Sequence, residues 1–282
     1  MSLTDHDKAI RERRIGASEV AAVLGISPYA DATPFAVWAR LTQGYQRPDA
    51  AELTAGTYLE RAVADWYADT HASQVVVTHS TGTRHPDHDW LSATPDREVC
   101  DGSASWLLEC KTDRDRDAWG TPGTDQIPAH VAAQVQTQLA CTGYPHCDVA
   151  VLFKARDEFA CYTVRRDDDV IAHIIRECGA WFDRHVVKGE MPPLDGGNAA
   201  AAYLRTRYPG GGPLAKANPE QAALVAAYAT GKAAVKEMTK QNDVLKQRIA
   251  LELGDANGWE GLVTYRPNKN GVRSLRLAGE KE

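Results

Sequence analysis

No run of this sequence is apolar for long enough to cross a bilayer as a helix. Its opening, "MSLTDHDKAIRERR", is polar and charged and lacks the apolar core of a signal peptide. A cytoplasmic protein with no membrane partner is therefore expected. The six cysteines, at 100, 110, 141, 147, 161 and 178, include no C-x-x-C pair, which leaves a zinc or iron–sulfur site little support. Most sit in apolar segments as small hydrophobes, and no disulfide is expected in a reducing compartment. Sequence repeats and low-complexity tracts are lacking as well. So is an excess of positive charge. A formal charge of −6 argues against binding nucleic acid through bulk charge, though not against a local basic groove. Small basic clusters do occur, at Arg11, Arg13 and Arg14 and again at Arg165 and Arg166.

What is present is a chain of 282 residues, 43% hydrophobic, enough for one large domain or a domain with an appendage. "GASEVAAVLGIS" reads as a short helix with Ser18 as its N-cap. "TPFAVWARLTQG" reads as a second helix, capped by Thr33, with Pro34 in its first turn and Gly44 after its end. "GTYLERAVADWYADTHA" carries Leu59, Val63, Trp66 and Tyr67 at helical spacing. The period then changes. "SQVVVTHS", "DWLSATPDREVC" and "ASWLLECKT" read as strands, the last two joined by a turn at Asp101-Gly102-Ser103. "PAHVAAQVQTQLACTG" returns to helix, "CDVAVLFKA" and "FACYTVRR" form a hairpin pattern, and "DDDVIAHIIRECGAWFDRHVVKG" is a long amphipathic helix.

This order gives an α/β (α+β) core with a mixed sheet flanked by helices. The domain is expected over 1–195, with a linker or loop over 196–213 that includes "RYPGGGP". A long helix and a β-hairpin follow over 214–282. The helix carries Leu224, Tyr228, Val235, Met238, Leu245, Ile249 and Leu253 at three-, four- or seven-residue steps. That stripe suits a partner helix, but packing on the chain's own body is the expected arrangement.

The chemistry gathers at "TPDREVCDGSASWLLECKT", residues 94–112. Alternate residues of a strand share a face, so Glu109 and Lys111 emerge together. A hairpin brings Asp96 near Glu109. Two close carboxylates repel, and a proton or a cation must relieve them. Hard oxygen ligands of this kind suit Mg²⁺. The same string would also suit a plain ion cluster on the surface.

Pro95-Asp96, then thirteen residues later Glu109-Cys110-Lys111, matches the PD-(D/E)XK nuclease pattern. "RERRIGASEVAAVLGISPY", "GTYLERAVADWY", "ATPDR", "LLECKT" and "AHVAAQVQTQL" occur in the order seen in the YqaJ-like viral recombinase family, in the same group as phage lambda exonuclease. The resemblance covers roughly residues 10 to 190.

The resemblance implies a restriction-endonuclease-like core and a Mg²⁺-dependent DNA exonuclease, with Mn²⁺ as a possible substitute. It would resect duplex DNA from 5′ ends to leave 3′ overhangs. Asp96 and Glu109 would bind the metal, joined by the Cys110 backbone carbonyl and by Glu60. Lys111 would be the catalytic lysine. Helix geometry leaves Gln134, Gln136 and Gln138 open as the residue that holds the attacking water, and the family pattern selects Gln134. "RERRIGASE" resembles the family's 5′-phosphate segment, so Arg11 and Ser18 would grip the terminal phosphate, with Arg13 or Arg14 near enough to replace Arg11. Double-stranded DNA ends, a single-strand annealing protein and further copies of the chain are the implied partners, in a bacterial host and of phage or prophage origin. An endonuclease on the same fold and a silent DNA-binding module are the rival readings.

Overall fold

The computed structural model describes residues 13–46, 51–71, 75–78, 82–268 and 271–278. They fall into two compact units, 1–210 and 211–282. The first opens with a short strand β1 (Ile15–Gly16) and helix α1 (Ala17–Val23). Helix α2 (Pro34–Gln43) follows, with the ends its sequence predicts. The Thr33 hydroxyl accepts from the Ala36 amide at 3.1 Å, and Gly44 takes φ 67°, the left-handed turn that ends a helix. Helix α3 spans Ala51–Thr70.

The strands are β2 (Val75–Thr78), β3 (Thr83–Arg84), β4 (Leu91–Ala93), β5 (Arg97–Cys100) and β6 (Ser105–Asp113). Next come α4 (Ala129–Thr142), β7 (His146–Phe153), β8 (Glu158–Arg165) and α5 (Asp168–Phe182), which runs on into a π-helical turn, Asp183–Val187. Asp167 caps α5 by accepting from the Asp169 and Val170 amides. Helix α6 is Asn198–Arg207.

The central sheet has the order β2-β5-β6-β7-β8. Its β6–β7 pair is parallel, and the other three pairs are antiparallel. The mixture follows from the connections: short turns join β5 to β6 and β7 to β8, the small-sheet strands β3 and β4 lie between β2 and β5, and α4 carries the chain back from β6 to β7. Alternation along β6 sorts its side chains. Leu107 packs with Val131, Val135 and Leu139 of α4. Trp106, Leu108 and Cys110 pack with Val63, Ala64 and Tyr67 of α3. The sheet is thus buried on both faces, and Glu109 and Lys111 share the α4 side with Leu107.

Three expectations need correction. "DWLSATPDREVC" is not one strand. β4 belongs to a separate three-stranded sheet, between β1 and β3, and β5 to the central one. Pro95, which has no N–H to give a ladder, lies in the step between them. Segment 196–213 contains α6, because Ala199, Ala200 and Tyr203 find an apolar partner in Phe35 and Trp38 of α2. Helix α1 begins two residues earlier than predicted, with Gly16 as N-cap in place of Ser18. The Glu19 carboxylate accepts from the Gly16 amide at 2.9 Å and fills the capping role.

The second unit holds α7 (Pro219–Leu253) and a small sheet of β9 (Gly258–Trp259), β10 (Val263–Pro267) and β11 (Arg273–Leu277), in the order β11-β10-β9. Asn218 and Gln221 form a reciprocal cap at the start of α7. The predicted terminal hairpin is therefore part of a three-stranded sheet. The apolar stripe of α7 is exposed. Leu224, Tyr228, Val235, Met238 and Leu245 are 53% to 73% accessible.

Candidate active site

The β5–β6 register pairs Arg97 with Leu108, so Asp96 and Glu109 come next to each other where that ladder ends. Asp96 accepts from the Cys110 amide at 2.7 Å. In a strand the N–H and C=O of one residue lie on the same edge, so the Cys110 carbonyl shares the edge of Asp96. Glu109 is only 2% exposed. A buried carboxylate needs donors, and this one has three. Its Oε1 accepts from Lys111 Nζ at 2.6 Å and from Gln134 Nε2 at 2.6 Å. Its Oε2 accepts from Gln138 Nε2 at 2.6 Å. Lys111 Nζ also donates to Gln134 Oε1 at 3.0 Å, closing a ring of three side chains from β6 and α4.

The charges act on one another. Burial pushes the Asp96 carboxyl well above the usual range. The Glu109 and Glu60 carboxylates push the same way, and Lys111 opposes them in part. Burial also works against the Lys111 ammonium, but the Glu109 and Asp96 carboxylates outweigh it and hold the group above its ordinary value. The Cys110 thiol is pushed far up by burial and then by the same carboxylates, which makes it an inert core residue.

Two spaces adjoin the ring. A cleft of about 530 Å³ is lined by Lys111 and Gln134, with Tyr29, Arg40, Trp119 and His130 around them. Tyr29 meets His130 edge-on at 5.8 Å, and its ring is 59% exposed. A smaller polar cavity of about 70 Å³ lies among Ser18, Ser92, Thr94, Gln134 and Gln138. Two atoms of residues lining it, Ser92 Oγ and Gln138 Oε1, are buried without a hydrogen-bond partner. On the wall of the larger cleft Arg40 grips both Glu19 oxygens, at 2.6 and 2.7 Å, and donates to the Arg14 carbonyl at 2.7 Å.

Residues 8–145 match the model of the YqaJ-like viral recombinase domain. The uncharacterised protein YqaJ of Bacillus subtilis strain 168 is 30% identical over 264 residues, which cover 89% of this chain and 79% of that protein. The chain belongs to the YqaJ-like viral recombinase family. Crystal structures of LHK-Exo, an alkaline exonuclease from Laribacter hongkongensis, share its fold. The one in complex with dAMP superposes with a TM-score of 0.54 and the other with 0.52. Each is 24% identical to this chain and covers 72% of it and 97% of LHK-Exo. The fold is the PD-(D/E)XK type.

Within this YqaJ-like chain, Asp96, Glu109, Lys111, the Cys110 backbone and Gln134 come together in one place. Of the three glutamines left open by helix geometry, Gln134 and Gln138 both reach Glu109. Gln136 turns away, donating to the Arg165 carbonyl and accepting from the Asp167 amide. The family pattern selected Gln134 alone, and Gln138, one helical turn beyond it, reaches the same carboxylate. Glu60 is near but engaged: Arg97 donates to it at 2.7 Å and to the Asp96 carbonyl at 2.6 Å. Ser18 is on the wall of both the cleft and the smaller cavity, and the Arg14 carbonyl accepts from Arg40 of the cleft wall. Arg11 lies outside the described residues. Ser92 had no signal in the sequence, because its burial comes from the small sheet.

Proposed function

We propose that this chain is a Mg²⁺-dependent DNA exonuclease that degrades one strand of a duplex from its 5′ end and leaves a 3′ overhang. The observation that carries the reading is the ring of Glu109, Lys111 and Gln134 beside Asp96, opening on a cleft. The designation of LHK-Exo as an alkaline exonuclease, and its complex with a deoxynucleoside monophosphate, support it.

The donor set fits a hard cation. Asp96 and Glu109 supply carboxylates near the Cys110 carbonyl, and the burial and repulsion that raise Asp96 are what a cation would relieve. Among the described residues no group of three or more His, Cys, Asp or Glu is gathered for a metal. Mg²⁺ is held through one or two carboxylates and keeps several waters. Mn²⁺ takes the same ligands. When bound, such an ion supplies Lewis acidity and a nucleophile at neutral pH.

The chain's own groups do the positioning. An ammonium has three donors. Lys111 uses one on Glu109 and one on Gln134, leaving the third for a water or a phosphate oxygen. Water oxygen attacks phosphorus, the P–O3′ bond breaks, and the products are a 5′-phosphate and a 3′-hydroxyl. Ser18, Arg14 and Arg11 serve the terminal 5′-phosphate, joined by Ser92. Its hydroxyl, buried without a partner at the small cavity, is a donor ready for an anion. A single-strand annealing protein would take the overhang.

Linear duplex labelled separately at 5′ and 3′ ends, beside a closed circle, tests the reading. Mg²⁺-dependent loss of 5′ label with the circle spared and EDTA inhibition is expected. Cutting of the circle would make this an endonuclease, and binding without cutting a silent module. Ser92→Ala should lower the preference for 5′-phosphorylated over 5′-hydroxyl ends roughly tenfold, the value of one bond to a charged group. An unchanged preference would remove Ser92 from the phosphate site.

A further inference from the structure

Helix α1 ends in a tight reversal. Gly25 takes φ 70°, and the Ile26 amide donates back to the Ala21 carbonyl at 3.0 Å. The chain then runs through "SPY", and Tyr29 is tied down on both sides. Its amide donates to the Ser27 hydroxyl at 3.3 Å, and its carbonyl accepts from the Ala32 amide at 2.9 Å. A held backbone thus carries an exposed aromatic side chain on the wall of the cleft that Lys111 and Gln134 also line.

Tyr29, Tyr45, Trp119 and His130 all line that cleft, and they are not equivalent. Trp119 is buried, with its Nε1 donating to Asp113 at 2.8 Å and its ring against Phe153. Tyr45 packs against the cluster of Phe35 and Trp38. His130 meets Tyr29 with the two ring planes at 86°. In such a perpendicular contact one ring gives an edge and the other a face, so at least one face of Tyr29 stays clear of His130. Burial, and then the Lys111 ammonium, hold the His130 imidazole below its ordinary value, so at neutral pH it supports Tyr29 as an uncharged ring.

We infer that Tyr29 is a stacking platform for one unpaired nucleobase, carried by the nucleotide whose phosphate lies at Lys111. The inference rests on the nuclease reading above and adds to it a residue that positions the strand end. Every base has an aromatic face, so the contact tolerates any sequence. Inside a duplex both faces of a base are covered by its neighbours, and a base must leave the helix to reach Tyr29. Stacking there offsets part of the cost of unpairing. A cleft of about 530 Å³ is the size of a small-molecule site, which suits one nucleotide better than a base pair.

The test is the affinity of the full chain for a 5′-phosphorylated single-stranded oligonucleotide, with Ca²⁺ in place of Mg²⁺. An abasic residue is placed at each terminal nucleotide in turn. The parent should lose roughly tenfold in affinity at one position, within the range for one base on one ring. Tyr29→Phe keeps the ring and should behave as the parent. Tyr29→Leu should bind the intact oligonucleotide about tenfold more weakly and show no abasic penalty at that position. Tyr29 is exposed, so neither change should disturb the fold. The same abasic penalty in parent and Tyr29→Leu, or equal affinity of the two for the intact strand, would overturn the proposal. Digestion of end-labelled duplex judges the nuclease reading separately. A chain that degrades ends without a Tyr29-dependent penalty keeps that reading and loses this one. A chain that cuts nothing and still shows the penalty keeps the platform alone, and failure to bind any oligonucleotide overturns both.

Discussion

Asp96→Asn should abolish cleavage and yet make the protein more stable. Hydrolysis is expected to fall on the order of 10³-fold or more, because one of two carboxylates for the cation is gone. Stability should move the other way. The asparagine oxygen can still accept from the Cys110 amide, the bond Asp96 now makes. It removes a carboxylate that burial, Glu109 and Glu60 all disfavour. In the parent that group either carries its charge at a cost or takes up a proton, and the amide does neither. A gain of about 1 kcal/mol would raise the unfolding midpoint roughly 2–4 °C for a domain of this size. Melting curves in EDTA, run beside nuclease assays in Mg²⁺, read both effects. A variant that is both inactive and less stable would mean that Asp96 is a structural acid.

Asp148→Ala should show the opposite pattern. Asp148, buried on β7, accepts from the Tyr67 hydroxyl, from Trp106 Nε1 at 3.1 Å and from the Thr163 hydroxyl at 2.7 Å. These donors come from α3, β6 and β8, so one carboxylate ties a helix to three neighbouring strands. Burial, then the bond to Asp148, pushes the Tyr67 phenol far above its usual range, so it remains a donor. Alanine would leave the three donors without that acceptor, at a cost of about 3–5 kcal/mol. The midpoint should drop by roughly 10 °C. Activity per folded molecule at low temperature should hold, because none of the four side chains lines the cleft. A fall in activity without a fall in midpoint would mean that the network reaches the site.

Much of the site was legible because strands have a period of two. That period alone puts Glu109 and Lys111 on one face of β6, and a hairpin brings Asp96 to Glu109. The ends of α2 were legible too, since Thr33, Pro34 and Gly44 act through local backbone geometry. Other features were hidden. Arg97 follows Asp96 in sequence, but that it would engage Glu60 on another element needed the packing of α3 against the sheet. Gln134, Gln136 and Gln138 are alike on a bare helix, and only Glu109 on one side and the Arg165 carbonyl on the other tell them apart. Ser18 had the right chemistry for an N-cap, yet Glu19 does that work through its own side chain.

The acid–acid–lysine set, the alternation of helix and strand and the three-, four- and seven-residue steps along α7 can be read from the chain alone, because each rests on neighbours a few residues apart. Tertiary structure decided which carboxylate is held by an arginine, which glutamines reach Glu109, that Ser92 lines a polar cavity, and that 91–100 divides between two sheets. Those outcomes depend on contacts between residues tens of positions apart, and burial, the quantity that makes a charge or a hydroxyl matter, exists only once such contacts have formed.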